Sequence, residues 1–225
     1  MNITVMGDIH GNLVALEKLI KNEKGETDLF VCHGDVVNYG PWSTECLKLL
    51  LDMDNSIVLR GNHEDYFIDG KFSKKGGTKK VHGLVQSFFD FCYSRFDHSL
   101  IEDMSKFELE HDIEMATVCH TLEDRYIFAD TDLDDMTLTK NHVIGHSHQQ
   151  YKRPVGDFML YNTGSLGQNR AKIDLSCYLK VDTHASTVTL KEFTYDVDLV
   201  LNQMKSLKYP AECYEYYAKK DRVHS

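Results

Sequence analysis

Two equal intervals constrain this chain more than any other feature. Asp8, Asp35 and Asn62 each follow a short apolar run, and successive members are 27 residues apart. The runs are Ile3-Thr4-Val5-Met6, Leu29-Phe30-Val31-Cys32 and Ser56-Ile57-Val58-Leu59. Their length and β-branched content predict buried strands. Between the first two, Leu13, Leu16, Leu19 and Ile20 recur at helical spacing behind Asn12, a candidate N-cap. Between the second and third, Cys46, Leu47, Leu50 and Leu51 do the same behind Ser43, also a candidate cap. One strand, one helix and two loops fill such an interval. The three polar positions should therefore sit side by side at the carboxyl edge of a parallel sheet, where open α/β folds bind ligands.

The rest of the chain changes character. Residues 70–80 read as a loop carrying five lysines. Residues 81–96 read as a helix with Leu84, Val85, Phe88, Phe89 and Cys92 toward the core. Beyond it, 115–119, 143–144, 158–161, 176–181 and 188–193 are strand-like, with turns at Gly156-Asp157 and His184-Ala185-Ser186 and a late helix over 196–207. No linker or repeat interrupts residues 1–225, which reads as one domain. No apolar run approaches the ~18 residues of a membrane span, and no secretory leader opens the chain, so a cytoplasmic protein is expected. The net charge of −10 argues against a large nucleic-acid footprint. Six cysteines without short paired spacings read as reduced, buried thiols. Oligomeric state is not legible.

Five polar clusters each follow a strand: Gly7-Asp8-Ile9-His10-Gly11, Gly34-Asp35, Gly61-Asn62-His63-Glu64, Cys119-His120 and Gly145-His146-Ser147-His148. The chain has 12 histidines, a high share for its length, and His is the commonest metal ligand. Oxygen and nitrogen donors without thiolate suit divalent Mn first, with Fe, Zn or Ni as alternatives. Seven ligands are too many for one ion. A carboxylate shared between two ions gives each four, and ions roughly 3.5–4 Å apart can clamp a phosphoryl group. Two divalent ions against two Asp leave a local positive charge, so an acidic protein can still hold a small phosphoester there.

As a set, these clusters resemble the signature of the calcineurin-like metallophosphoesterase superfamily over residues 3–170, and the stretches 34–41 and 162–170 resemble its small bacterial phosphodiesterase-like branch. The resemblance implies an α/β fold, two facing mixed β-sheets flanked by helices in a four-layer αββα sandwich, with 171–225 supplying closing strands and C-terminal helices. It implies that Asp8, His10, Asp35 and His148 hold one metal, and that Asp35, Asn62, His120 and His146 hold the other. Asp35 would be the bridge, and the nucleophile a metal-bound hydroxide. His63 would touch the phosphate and protonate the leaving oxygen. Two departures stand out. Asn38-Tyr39 replaces the Asp-Arg of protein phosphatases and dinucleoside-tetraphosphate hydrolases, so Asn38 becomes a neutral substrate-side or orienting residue. Thr121 follows His120 where the family usually has Gly.

Arg170 is a candidate substrate contact, with a strand-end role as its alternative. The acidic stretch 123–135 around Tyr126-Ile127-Phe128 reads equally as a cap near the pocket or as solvated surface. The lysine loop reads as solvated surface sooner than as a lid, and His33 as a core residue sooner than as a support behind the ligands. Together these features favour a metal-dependent phosphodiesterase on a small or flexible substrate. The alternatives are a phosphomonoesterase on the same site and a non-catalytic scaffold of the same fold.

Overall fold

A computed structural model describes residues 1–73 and 79–223, the side chains of residues 79 and 80 excepted. The lysine loop expected at 70–80 thus falls largely outside the described residues. The three apolar runs form β1 (Asn2–Met6), β2 (Leu29–Cys32) and β3 (Ser56–Val58), joined as parallel neighbours. α1 (Leu13–Glu23) and α2 (Ser43–Leu51) return the chain each time. Asn12 caps α1, its Oδ1 accepting from the Ala15 N–H at 3.1 Å. Ser43 does not cap α2. Its hydroxyl accepts instead from the Asn38 N–H at 2.9 Å and ties down the loop that follows β2. α3 (Asn62–Asp69), α4 (Lys79–Tyr93) and α5 (Ile101–Ser105) follow.

The second half supplies β4 (Glu110–Asp112), β5 (Ala116–Cys119), β6 (Asn141–Ile144), β7 (Gln150–Val155) and β8 (Phe158–Thr163), in the sheet order β4-β5-β6-β8-β7. β9 (Leu175–Asp182) and β10 (Thr187–Thr194) return to the first sheet. Their antiparallel pairing gives it the order β10-β9-β1-β2-β3. α6 (Val197–Ser206), capped by Asp196, and α7 (Ala211–Ala218) close the chain. Two strands escaped the sequence reading, and both lie at sheet edges. β4 is short and polar, and β7 contains Pro154, which an edge strand tolerates because one side of its ladder is unpaired.

Strand alternation explains the layers. Ile3, Val5, Val31, Leu179 and Val181 point from the first sheet toward Ala116, Val118 and Val143 of the second, and these side chains form the core between the sheets. Met6, Phe30, Cys32 and Tyr178 point the other way, onto α1, α2, α4, α6 and α7. The far face of the second sheet is covered by Ile127, Leu133, Met136 and Leu138 of an irregular segment. The expected sandwich of two facing mixed sheets with flanking helices is present, each sheet having five strands; the outer layer over the second sheet is this irregular segment where the αββα expectation placed helix. The six cysteines are buried and free. Among the described residues no helix is long and apolar enough to cross a membrane.

Candidate metal centre

Asp8, Asp35 and Asn62 leave the carboxyl ends of β1, β2 and β3, as their spacing requires. His120 directly follows β5, and His146 and His148 follow β6. Stacking the sheets brings both sets together, so that His10 Nε2 and His148 Nε2, 138 positions apart, lie 3.2 Å from one another. The turns that aim these side chains are strained. Asp8, His10, Asp35, His146 and His148 all have φ between 47° and 65°. Such left-handed backbone costs an L-residue roughly 1–2 kcal/mol and concentrates at functional sites. Cross-loop bonds hold it: Asp8 N–H to the Gly34 carbonyl (3.0 Å), His10 N–H to the Asp35 carbonyl (2.9 Å) and His146 N–H to Asp8 Oδ2 (2.9 Å).

Asp8, His10 and His148 form one group. Asp8 Oδ1 is 3.3 Å from His148 Nε2 and 3.8 Å from His10 Nε2, and it has no hydrogen-bond donor although Asp8 is fully buried. His10 Nδ1 meets the Val37 carbonyl at 3.2 Å, and His148 Nδ1 meets the Gln168 carbonyl at 2.7 Å. A carbonyl only accepts, so each Nδ1 carries the proton and each Nε2 presents a lone pair. Two lone pairs and a bare carboxylate oxygen facing one another in a dry site call for a cation.

Asp35, His120 and His146 form a second group. Asp35 Oδ2 is 3.3 Å from His120 Nε2 and 3.8 Å from His10 Nε2, while Asp35 Oδ1 accepts from the His63 N–H at 2.9 Å. Oδ2 therefore lies between the two groups. Asn62 Oδ1 and His146 Nδ1 each approach His120 Nε2 to 3.1 Å. Burial would raise both Asp carboxyls, yet the surrounding histidines hold them well below the ordinary carboxylate range. Burial opposes protonation of His120, but Asp35 beside it prevails and pushes its pKa up to about 9. A divalent ion would take that proton's place. The donor set fits two such ions.

His63 shares a third group with His10 and Asp35, its Nε2 3.9 Å from Asp35 Oδ2. Its Nδ1 is 2.8 Å from Asn38 Nδ2. Asn38 is fully buried, and its Oδ1 accepts from the Tyr39 N–H at 2.8 Å, which fixes the amide's orientation. The amide thus donates to His63 Nδ1 and leaves the ring proton on Nε2. Burial is the largest influence on His63 and lowers its pKa to about 4, although Asp35 pulls the other way. Both polar atoms of the Asn38 side chain are thus engaged within the protein, in keeping with an orienting role toward His63.

Sequence reasoning assigns Glu64 no role; the structure gives it one. Its buried carboxylate accepts four backbone N–H bonds, from Asp35 (2.7 Å), Val36 (2.8 Å), Val37 (3.2 Å) and Gly61 (2.8 Å). It clamps the loop after β2 to the start of α3. The signal was its third position in a helix led by Gly61, the acidic member of a capping box. Gly61 must lack a side chain, since a Cβ there would lie 2.3 Å from Asp35 Oδ1. His33 is fully buried, with Nε2 2.7 Å from Thr163 Oγ1 and 3.9 Å from Asp8 Oδ2, so it is both a core residue and a support behind that candidate ligand.

A cavity of about 530 Å³ adjoins the cluster. Asn62, His63, Tyr66, Tyr126 and Arg170 are among its lining residues. The 123–135 stretch proves to be both things expected of it. Its acids lie at the surface, while Tyr126 stacks on His146 with ring centroids 3.8 Å apart. Arg170 is exposed, its guanidinium 5.6 Å from the Tyr126 ring centroid.

Comparison with known proteins bears on family and fold. The family model described as calcineurin-like phosphoesterase matches residues 1–150. An uncharacterised protein of Methanocaldococcus jannaschii is 26% identical over 219 residues, covering 87% of this chain and 88% of that one. Serine/threonine-protein phosphatase 1 of Salmonella typhimurium is 37% identical over 84 residues, only 36% of this chain and 38% of that phosphatase. Among solved structures, a metallophosphoesterase from Sphaerobacter thermophilus matches with a TM-score of 0.75 at 20% identity, over 97% of this chain and 98% of that one, a likeness of fold.

Proposed function

The chain belongs to the calcineurin-like phosphoesterase family, and we propose that it hydrolyses a small or flexible phosphodiester with the help of two divalent ions, Mn²⁺ foremost. The observation that carries this reading is the position of Asp35 Oδ2 between two groups of buried donors. Asp8, His10, Asp35 and His148 would hold one ion, and Asp35, Asn62, His120 and His146 the other. When bound, such ions lower the pKa of water and offset charge gathering on phosphoryl oxygens.

The chain's own residues do the rest. The Val37 and Gln168 carbonyls keep the Nε2 lone pairs of His10 and His148 turned inward. His63 offers an Nε2–H on the cluster side, suited to a phosphoryl or leaving-group oxygen. Asn38 acts through His63, by selecting that tautomer. Because an amide N–H faces Nδ1, the neutral ring is favoured, so His63 serves as a hydrogen-bond donor more than as a source of a full proton. A diester carries less negative charge than a monoester dianion. That suits a cluster beside which Arg170 sits out at the cavity rim. A phosphomonoesterase is the second reading, since a phosphatase is among the relatives. A non-catalytic scaffold fits poorly with the uncompensated Asp8 Oδ1. The same reading takes residues 1–225 as a single domain working in the cytoplasm.

Elemental analysis after Mn²⁺ reconstitution, paired with nitrophenyl mono- and diester assays, tests the proposal. Close to two equivalents are expected, with most of both lost in Asp35→Asn and both kept in His63→Ala. A single tight ion would refute the shared carboxylate. Loss of an ion in His63→Ala would make that residue a ligand. No hydrolysis of either ester by fully loaded protein would refute the activity.

A further inference from the structure

The cavity beside the cluster bears on what the substrate carries beyond its phosphate. Resting on the phosphoesterase reading above, we propose that this cavity seats a flat aromatic group of the ester, a nucleobase or an aryl ring.

Aromatic surface begins on the cluster's own histidines and runs into the cavity. Tyr66 packs edge-on against His63 with centroids 5.2 Å apart, and Phe72 packs edge-on against Tyr66 at 5.2 Å. Tyr126 stacks on His146, and Phe128 lies nearly parallel to Tyr126, at 13° and 6.4 Å. Tyr39 touches the rings of both His10 and His63, at 4.8 and 5.1 Å. All five of these rings line the same cavity. A phosphate at the cluster would therefore send its organic substituent along aromatic walls. Holding the ligands does not account for all of them: the Val37 and Gln168 carbonyls orient His10 and His148 and Asn38 orients His63, and while Tyr126 also stacks on His146 and Tyr66 hydrogen-bonds Asn62, Phe72 and Phe128 pack only on those tyrosines.

Tyr126 is 49% exposed, a large ring left partly uncovered beside the site. A flat ligand would cover it and gain the offset or edge contacts that aromatic pairs prefer. The cavity's size falls within the ~300–1,000 Å³ of small-molecule sites, ample for a heteroaromatic base. Polar groups lie within the same walls. Arg170 reaches over Tyr126, and its fork of N–H donors can meet ring nitrogens or carbonyls at a base edge. A simple alkyl substituent would use neither the stacking faces nor this donor.

Paired probes that share a phosphate and differ in the ring test this. Calorimetry on Mn²⁺-loaded protein compares AMP with ribose 5-phosphate, and phenyl phosphate with methyl phosphate. The aromatic member of at least one pair should bind about tenfold tighter, the scale of stacking on a protein ring. Phe72→Ala, which removes a ring packed on Tyr66 and no ligand, and Tyr66→Ala should each erode that advantage. Preference within the AMP pair alone assigns a nucleobase; preference within both assigns any flat ring. Equal affinity within both pairs would overturn the proposal, as would an advantage that survives both substitutions. Hydrolysis of bis(nitrophenyl) phosphate by the same preparation separates the two ideas. Hydrolysis with equal probe affinities sinks the aromatic seat alone. Ring preference without hydrolysis leaves the seat standing and sinks the phosphoesterase reading.

Discussion

Glu64→Gln tests how the site is built. The Glu64 carboxylate receives two backbone N–H groups on each oxygen, those of Val36 and Val37 on Oε1 and those of Asp35 and Gly61 on Oε2. Burial and the nearby Asp35 carboxylate push its pKa up to about 7, against the pull of those donors. Only the ionised form matches all four. Glutamine replaces one oxygen with an NH₂, so in either orientation two buried N–H groups face a donor. An unsatisfied buried donor costs about 1–3 kcal/mol, giving a loss of about 2–6 kcal/mol against a typical total stability of ~5–15 kcal/mol. Urea unfolding at pH 8, where the carboxylate is ionised, should show a lower midpoint with an unchanged slope. The loops that carry Asp35 and Asn62 should also loosen, so bound Mn²⁺ should fall. A stability loss under about 1 kcal/mol with full metal content would show that the clamp is not needed.

Asn38→Asp gives His63 a carboxylate acceptor at Nδ1, which raises its pKa by about 1–2 units if a charge-assisted bond worth ~1.5–3 kcal/mol forms. The imidazolium would then persist to higher pH, and kcat/KM on an alkyl ester should rise near pH 6 relative to that on a nitrophenyl ester; a constant ratio across pH would refute the tautomer argument. Glu23 is held below its ordinary pKa of 4.5: burial opposes ionisation, but Lys180 at 2.6 Å and the Tyr178 hydroxyl at 2.5 Å override it. Its contribution should be complete above pH 4.5 and vanish as pH falls through the lower folded-state pKa, so Glu23→Gln should flatten the acid side of a stability–pH curve, and an unchanged acid limb would count against it.

The recurring 27-residue step placed Asp8, Asp35 and Asn62 correctly because strand and helix lengths are local properties, read from apolar periodicity. Asn12 was legible as a cap for the same reason. Ser43 was not, because the Asn38 N–H competes for its hydroxyl from a loop that periodicity does not describe. Donor types alone pointed to a metal centre. What only the tertiary structure decided is how the two halves meet. His10 faces His148 because two sheets stack, an arrangement driven by burial of Ile3, Val5, Val118 and Val143 rather than by any motif. The inward lone pairs depend on carbonyls of Val37 and Gln168, whose sequence identity is irrelevant since the backbone does the accepting. The Asn38–His63 bond, the Glu64 clamp and the aromatic cavity likewise join residues whose loops approach only in the folded chain. Composition names such groups, but their orientation follows from packing.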